Sequence, residues 1–252
     1  MSQRAEPDPA AELYHGTSGR EYHDGKRALN PQALPWVMAL RAEKLQPHVS
    51  ARDTVLEFGA GSGWNLGKLR CARRLGCDTA AFLRDRIEAA GAEYVESMAV
   101  VPPASVDVVI CHQTLEHVLE PAACLSEFRR VLKLGGRLIV HVPWERERRY
   151  RGYHPQEPNH HLYSWNAQTL GNLLTVTGFS VQSVMVRAYG YDRFAANLAC
   201  RWGLGESGFR LLRNTMILIR PLLEIEALAR NERKAEKVEK VEKGVVEAGR
   251  GS

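Results

Sequence analysis

Glu57 and the glycines at 59, 61 and 63, in the run Val55-Leu56-Glu57-Phe58-Gly59-Ala60-Gly61-Ser62-Gly63, are the residues here whose spacing most clearly suits chemistry. Glycine adopts backbone angles closed to other residues and lets a ligand approach the main chain. Free N–H groups at the start of a following helix favour polar or anionic ligand groups. The spacing is not the G-x-G-x-x-G of dinucleotide sites, and the carboxylate leading into the turn suits a cationic or hydroxyl-rich ligand better than a pyrophosphate. Asp78 follows Glu57 by about 20 residues, where a parallel α/β nucleotide fold places an acceptor for ribose hydroxyls; a carboxylate can accept both hydrogen bonds of a vicinal diol. His112, His160 and His161 are candidates to take a proton from an oxygen nucleophile. The nine histidines show neither H-x-x-x-H nor H-E-x-x-H spacing, so no metal ligands are expected.

These residues need particular elements to hold them. Thr54–Phe58 reads as a buried strand entering the glycine turn, and Trp64–Leu75 as a helix leaving it. Arg74–Thr79 is a second strand by position, Ala80–Ala90 a helix, and Ala92–Glu96 a short third strand. Ser105–Cys111 is almost continuously apolar, as buried parallel strands are, and it delivers His112. Pro121 opens a helix with Leu125, Phe128 and Leu132 on one face, expected to end at Gly135–Gly136. Arg137–Val142 is a fifth strand. A helix capped by Ser164 and stopped by Gly178 leads to a sixth, Phe179–Val186. Tyr189–Ala199 is the remaining slot for a seventh. Upstream, Pro31–His48 reads as a helix, and Tyr14, Tyr22 and His23 are candidates for a lid.

The run S-V-D-V-V-I, then L-E-H-V, then F-R-R-V-L-K-L-G-G-R-L-I-V-H-V-P follows the glycine turn in order. Together these resemble the motifs of class I S-adenosylmethionine (SAM)-dependent methyltransferases over residues 54–143, and H-L-Y-S-W…L…G-F extends the likeness to about residue 187. The resemblance implies an α/β, Rossmann-like, mostly parallel seven-stranded doubly wound sheet, with an N-terminal helical lid and a C-terminal helical extension. It implies SAM as cofactor, bound by Glu57, Gly59, Ala60, Gly61, Gly63, Asp78, Thr79 and His112. The family's usual acid for the adenine amino group is missing after the third strand, which leaves Glu96, Ser97 or backbone for that role. A turn with Lys133 and Leu134 before its two glycines, where the family has Pro, is expected to be floppier. His117 is expected to be structural.

Composition bounds the rest. The chain has 252 residues, 44% hydrophobic and 25% charged, with net charge +5. That balance is too mild to argue for a nucleic-acid partner. Five cysteines, an odd number without a C-x-x-C pair, point to reduced thiols in the cytoplasm. Residues 1–12 read as disordered, 13–200 as the methyltransferase domain, 201–230 as an amphipathic helical extension and 231–252 as a charged tail. Arg146, Arg148, Arg149 and Arg151 lie in a polar insertion suited to an anionic group on a substrate. Phe209, Leu212, Met216, Ile219 and Leu223 fall at helical spacing among arginines, so residues 205–230 could make a peripheral membrane contact. The expected function is methyl transfer to an oxygen of a small-molecule or lipid- or sugar-linked substrate. The alternative is a non-catalytic protein of the same fold serving as an assembly or regulatory partner.

Overall fold

The strands alternate which face they offer, and that alternation builds two apolar layers. Val55, Val108, Ile110 and Ile139 point to one side of the sheet, whereas Leu56, Val109, Leu138 and Val140 point to the other. A computed structural model describes residues 14, 16–26, 28–145, 152–155 and 159–232. Its strands are β1 Thr54–Phe58, β2 Arg73–Cys77, β3 Glu93–Val95, β4 Val106–His112, β5 Leu132–Pro143, β6 Ser180–Tyr189 and β7 Leu222–Arg230. They form one sheet in the order β3-β2-β1-β4-β5-β7-β6. The pairs from β3 through β5 are parallel, and β7 runs antiparallel to both β5 and β6. The helices are α1 Gly16–Lys26, α2 Leu34–Leu45, α3 Arg84–Ala89, α4 Pro121–Val131, α5 Ala167–Val176, α6 Asp192–Arg201 and α7 Gly205–Ile219. Leu125 and Phe128 of α4 and Leu170 and Leu174 of α5 fill one layer; Ala42 and Leu45 of α2 and Ile87 of α3 fill the other.

The sheet therefore has the expected seven strands and two covered faces, with β1 and β4 central. From β1 the chain turns one way to β2, and β4 lies on the other side. Open α/β sheets bind ligands at such a switch point, beyond the carboxyl ends of the strands.

Several local expectations are corrected. No helix follows the glycine turn: residues 61–68 are turns and bends, because Gly61, Gly63 and Gly67 lie within one short stretch and glycine disfavours helix. The helix of Pro121 ends at Val131, and Leu132 already belongs to β5. The cap of α5 is Asn166, which exchanges reciprocal bonds with Thr169; Ser164 instead donates to Glu145. The slot at Tyr189–Ala199 is α6, with Tyr191 in a left-handed conformation at its start.

The largest correction concerns 205–230. Only Gly205–Ile219 is helical, and Leu222–Arg230 is the strand between β5 and β6. Leu, Glu and Ala favour helix in isolation. The alternation of Ile225, Ala227 and Ala229, all buried, decides the matter once two strand edges are available. Phe209, Leu212 and Met216 dock α7 against Val37, Ala196 and Ala199. The Gly135–Gly136 turn is also pinned: Gly135 N donates to the Asn231 carbonyl at 2.7 Å, and Asn231 Nδ2 to the Leu132 carbonyl at 2.9 Å. Residues 1–12, the four arginines of the polar insertion and the tail from 233 onward lie outside the described residues. Among the described residues, no helix is long and apolar enough to cross a membrane.

Candidate active site

The glycine turn fits its surroundings closely. Gly59, Gly61 and Gly63 have φ of 71°, 56° and 70°, in the left-handed region that side chains resist. Gly59 donates its N–H to the Cys77 carbonyl at 2.8 Å, so the turn after β1 is tied to the end of β2. Asp78 completes the tie. Its Oδ2 accepts from Gly61 N at 2.8 Å and its Oδ1 from Ala80 N at 3.0 Å. Asp78, so held, lines a cavity of about 230 Å³ together with Thr79, Phe58, Cys77, Val118 and, from the N-terminal segment, Tyr14, Tyr22 and His23. The three lid candidates are brought together there.

Glu57 ends up on the other side of the turn, almost fully buried, accepting a hydrogen bond from Asn65 Nδ2. It opens onto a cleft of about 1140 Å³. Ala60, Ser62, His112 and His161 share that lining, whereas His160 is exposed and outside both cavities. Glu96 and Ser97 also lie outside both; Ser97 caps the short turn Met98–Val100 by accepting from Ala99 N at 3.2 Å.

Tyr22, Gly59, Gln113 and His117 border both cavities. Gln113 holds φ of 54°, a strained setting for a non-glycine residue. Its N–H donates to the His141 carbonyl at 2.8 Å, and its side chain points toward Glu224 at 3.4 Å. His117 is bonded through Nδ1 to Tyr14 Oη at 2.7 Å.

The far wall of the cleft carries charges that sequence reading missed. Lys44 of α2 pairs with buried Glu224 of β7, and burial lowers the lysine's pKa. His141 Nε2 lies 3.3 Å from Glu226 Oε2, and Arg187 Nε donates to Glu226 Oε1 at 3.1 Å. The His141 bond, helped by Arg187, holds Glu226 down at about 2; burial lowers His141. These residues converge only because β7 inserts beside β5. No spacing rule links residue 44 to residue 224.

This donor set suits SAM. A carboxylate for an ammonium group, a second for a ribose diol and an apolar–aromatic enclosure match a ligand that is cationic at one end and a nucleoside at the other. Asp78 and Thr79 would hold the nucleoside side in the smaller cavity, and Glu57 the amino-acid side in the cleft. The fold is that of a class I SAM-dependent methyltransferase domain, and this pair of cavities suits the cofactor of that class.

Comparison with known proteins agrees. Residues 29–184 match the family described as methyltransferase domain, and the chain belongs to it. A probable S-adenosylmethionine-dependent methyltransferase of Mycobacterium tuberculosis is 34% identical over 146 residues, 54% of this chain and 52% of that protein. The chain spans about half the length of the curated relatives it matches first. Among solved structures, the Burkholderia thailandensis 1,6-didemethyltoxoflavin-N1-methyltransferase with bound S-adenosylhomocysteine superposes with TM-score 0.59 at 18% identity, over 92% of this chain and 93% of that one. A Haloferax volcanii putative methyltransferase in complex with the Trm112 activator gives TM-score 0.59 at 17% identity, over 91% and 100%. At these identities the structures share the fold.

Proposed function

We propose that the chain transfers a methyl group from SAM to an oxygen of a polar small-molecule or lipid- or sugar-linked acceptor bound in the larger cleft. One observation supports this above others: the Asp78 cavity and the charged cleft share a wall at Tyr22, Gly59, Gln113 and His117. A nucleoside on one side of that wall and an acceptor on the other would meet at the turn.

SAM supplies a methyl group on a positively charged sulfur, and its transfer to oxygen requires alignment and the exclusion of water. Glu57, held by Asn65, fixes one end, and Asp78 the other. His112, in the lining of the larger cleft beside Gln113, is the base candidate. Its ring centroid is 5.2 Å from that of His141, which is in turn paired with Glu226. As the new O–C bond forms, the methyl–sulfur bond would break with its electron pair left on the now neutral sulfur, and the acceptor O–H would give its proton to His112. His161 and Glu145 border the same cleft and would orient the acceptor. His160 stays a candidate contact only for a large acceptor reaching past the cleft.

Calorimetric titration with S-adenosylhomocysteine tests the cofactor half. Micromolar binding is expected, weakened about tenfold to a hundredfold in Asp78→Ala, because charge-assisted bonds to the carboxylate are lost. Wild-type affinity in that variant would remove Asp78 from the site.

The lipid-linked branch draws support from Leu204, Leu211 and Leu218, which recur every seven residues and are 46%, 69% and 85% exposed. A helix face of this kind, near Arg201 and Arg220, suits an anionic lipid surface. Leu211→Glu/Leu218→Glu should lower co-sedimentation with anionic vesicles about tenfold or more, as buried leucine area is replaced by charge. Equal sedimentation of variant and parent would leave only soluble acceptors.

A further inference from the structure

Glu116, His117 and His161 cluster at the cleft, and the presence of a carboxylate and two imidazoles at one point is not accounted for by methyl transfer alone. We propose that these three residues bind a single divalent first-row transition-metal ion, of the zinc, iron(II) or cobalt(II) type. Their donor atoms lie within 4.8 Å of one another. Ligands at about 2.0–2.2 Å around one tetrahedral ion stand about 3.3–3.6 Å apart, so the widest pair would close by roughly an ångström on binding, within the reach of side-chain rotation.

The polar environment favours ligation over a simple ion pair. Glu116 is 1% exposed, and neither carboxylate oxygen has a hydrogen-bond partner in another residue. Among the described residues, the imidazole that approaches it is that of His117, with Nε2 3.8 Å from Oε1, beyond hydrogen-bond range. A buried carboxylate with idle oxygens is costly unless a cation or proton meets it.

Both histidines are already oriented from behind. His117 Nδ1 is bonded to Tyr14 Oη at 2.7 Å, and His161 Nδ1 to Glu145 Oε1 at 2.9 Å. His117 Nε2 faces Glu116 Oε1, so Nε2 is the atom that ring would offer the ion, as is Nε2 of His161, whose Nδ1 is bonded to Glu145; a carboxylate behind a histidine is a recurrent support for metal ligation. The two rings stand 4.8 Å apart between centroids at 70°. The backbone fixes the spacing as well. Leu162 N and Tyr163 N both donate to the Glu116 carbonyl, at 2.8 and 3.3 Å, binding the second segment to the first.

Two imidazole nitrogens and one carboxylate oxygen suit transition metals rather than magnesium or calcium, which prefer all-oxygen shells. All three ligands, with Glu145, line the larger cleft, so the remaining coordination positions face the space given to the acceptor. Resting on the oxygen transfer proposed above, such an ion would hold the acceptor's hydroxyl and make it a better nucleophile. Binding of the ion itself does not depend on that reading.

The test uses the full chain without a histidine tag, stripped with a chelator and titrated with Co²⁺. One equivalent should bind with visible d–d bands and without the thiolate charge-transfer band that cysteine ligation produces. Zn²⁺ should displace it, and excess Mg²⁺ should not. Glu116→Gln and His161→Ala should each weaken binding by about a hundredfold, and Glu145→Gln by about tenfold through loss of the supporting carboxylate. Thermal unfolding of the metal-free variants checks that each is folded, and Glu145→Gln serves if a ligand variant is not. Sub-stoichiometric cobalt, thiolate bands, or unchanged affinity in folded Glu116→Gln and Glu145→Gln would overturn the proposal. S-adenosylhomocysteine binding, measured on the same metal-free samples, separates the two readings. Retained binding without a metal site removes only the ion, and a metal site without nucleoside binding removes only the methyl transfer.

Discussion

A chain ending at Arg220 should fail to fold. It would lose β7, which pairs with β5 from Arg137 to Pro143 on one side and with β6 from Ser180 to Tyr189 on the other. Ile225, Ala227 and Ala229 would leave the core, and Lys44 would lose Glu224 while His141 lost Glu226. With β6 no longer joined to the rest, two strand edges and an apolar face would open to water at once, a loss beyond the roughly 5–15 kcal/mol by which domains are stable. The expected result is no cooperative thermal transition by circular dichroism and no S-adenosylhomocysteine binding. A chain ending at Glu232 keeps the whole strand and should melt as the full-length protein does. Cooperative melting of the shorter chain would mean that β7 is an appendage after all.

Gly59→Ala should abolish cofactor binding in a protein that still folds. An added Cβ would lie 2.3 Å from Thr114 Oγ1 and 2.4 Å from its Cγ2, far inside contact distance. The residue also holds φ of 71°, which costs roughly 1–2 kcal/mol for a residue with a side chain. The turn would move relative to Thr114 and to Asp78, whose carboxylate is fixed to Gly61. S-adenosylhomocysteine affinity should fall about a hundredfold or more, and the melting temperature by several degrees, as expected for about 1–3 kcal/mol. Adding Thr114→Gly removes the collision and leaves the backbone strain, so the pair should recover part of the affinity. Full recovery would assign the whole effect to the collision; none would assign it to the backbone.

The parts legible in the sequence are those that a single stretch specifies. Thr54–Phe58 with its glycines, Val106–His112 and the apolar stripe of α4 declare themselves by local pattern, because burial on both faces of a central strand leaves little choice of residue. Leu222–Arg230 is not legible locally because its local preference and its tertiary setting disagree. Leu-Leu-Glu-Ile-Glu-Ala-Leu-Ala suits a helix in isolation, and only the vacant place between two strands makes its period of two the winning one. The cavities divide likewise. Glu57, the glycines and Asp78 could be placed by spacing, whereas Lys44, Glu224, Glu226 and His141 meet across the sheet with no regular interval. His117 borders the wall between the cavities, and its bond to Tyr14 joins residues 103 positions apart, which no local pattern signals.

The reversed direction of β7 has a practical corollary. Strands that run with β5 finish beside the cavities, but Arg230 pairs with Arg137, near the opposite rim of the sheet, and Asn231 is secured there to Gly135 and Gly136. Tyr14, in contrast, touches His117 at the cavities themselves. The described residues thus begin at the working rim and end at the rear. An affinity handle or fluorescent reporter joined after residue 232 leaves the approach to both cavities clear, and the same cargo joined ahead of Tyr14 stands in the doorway.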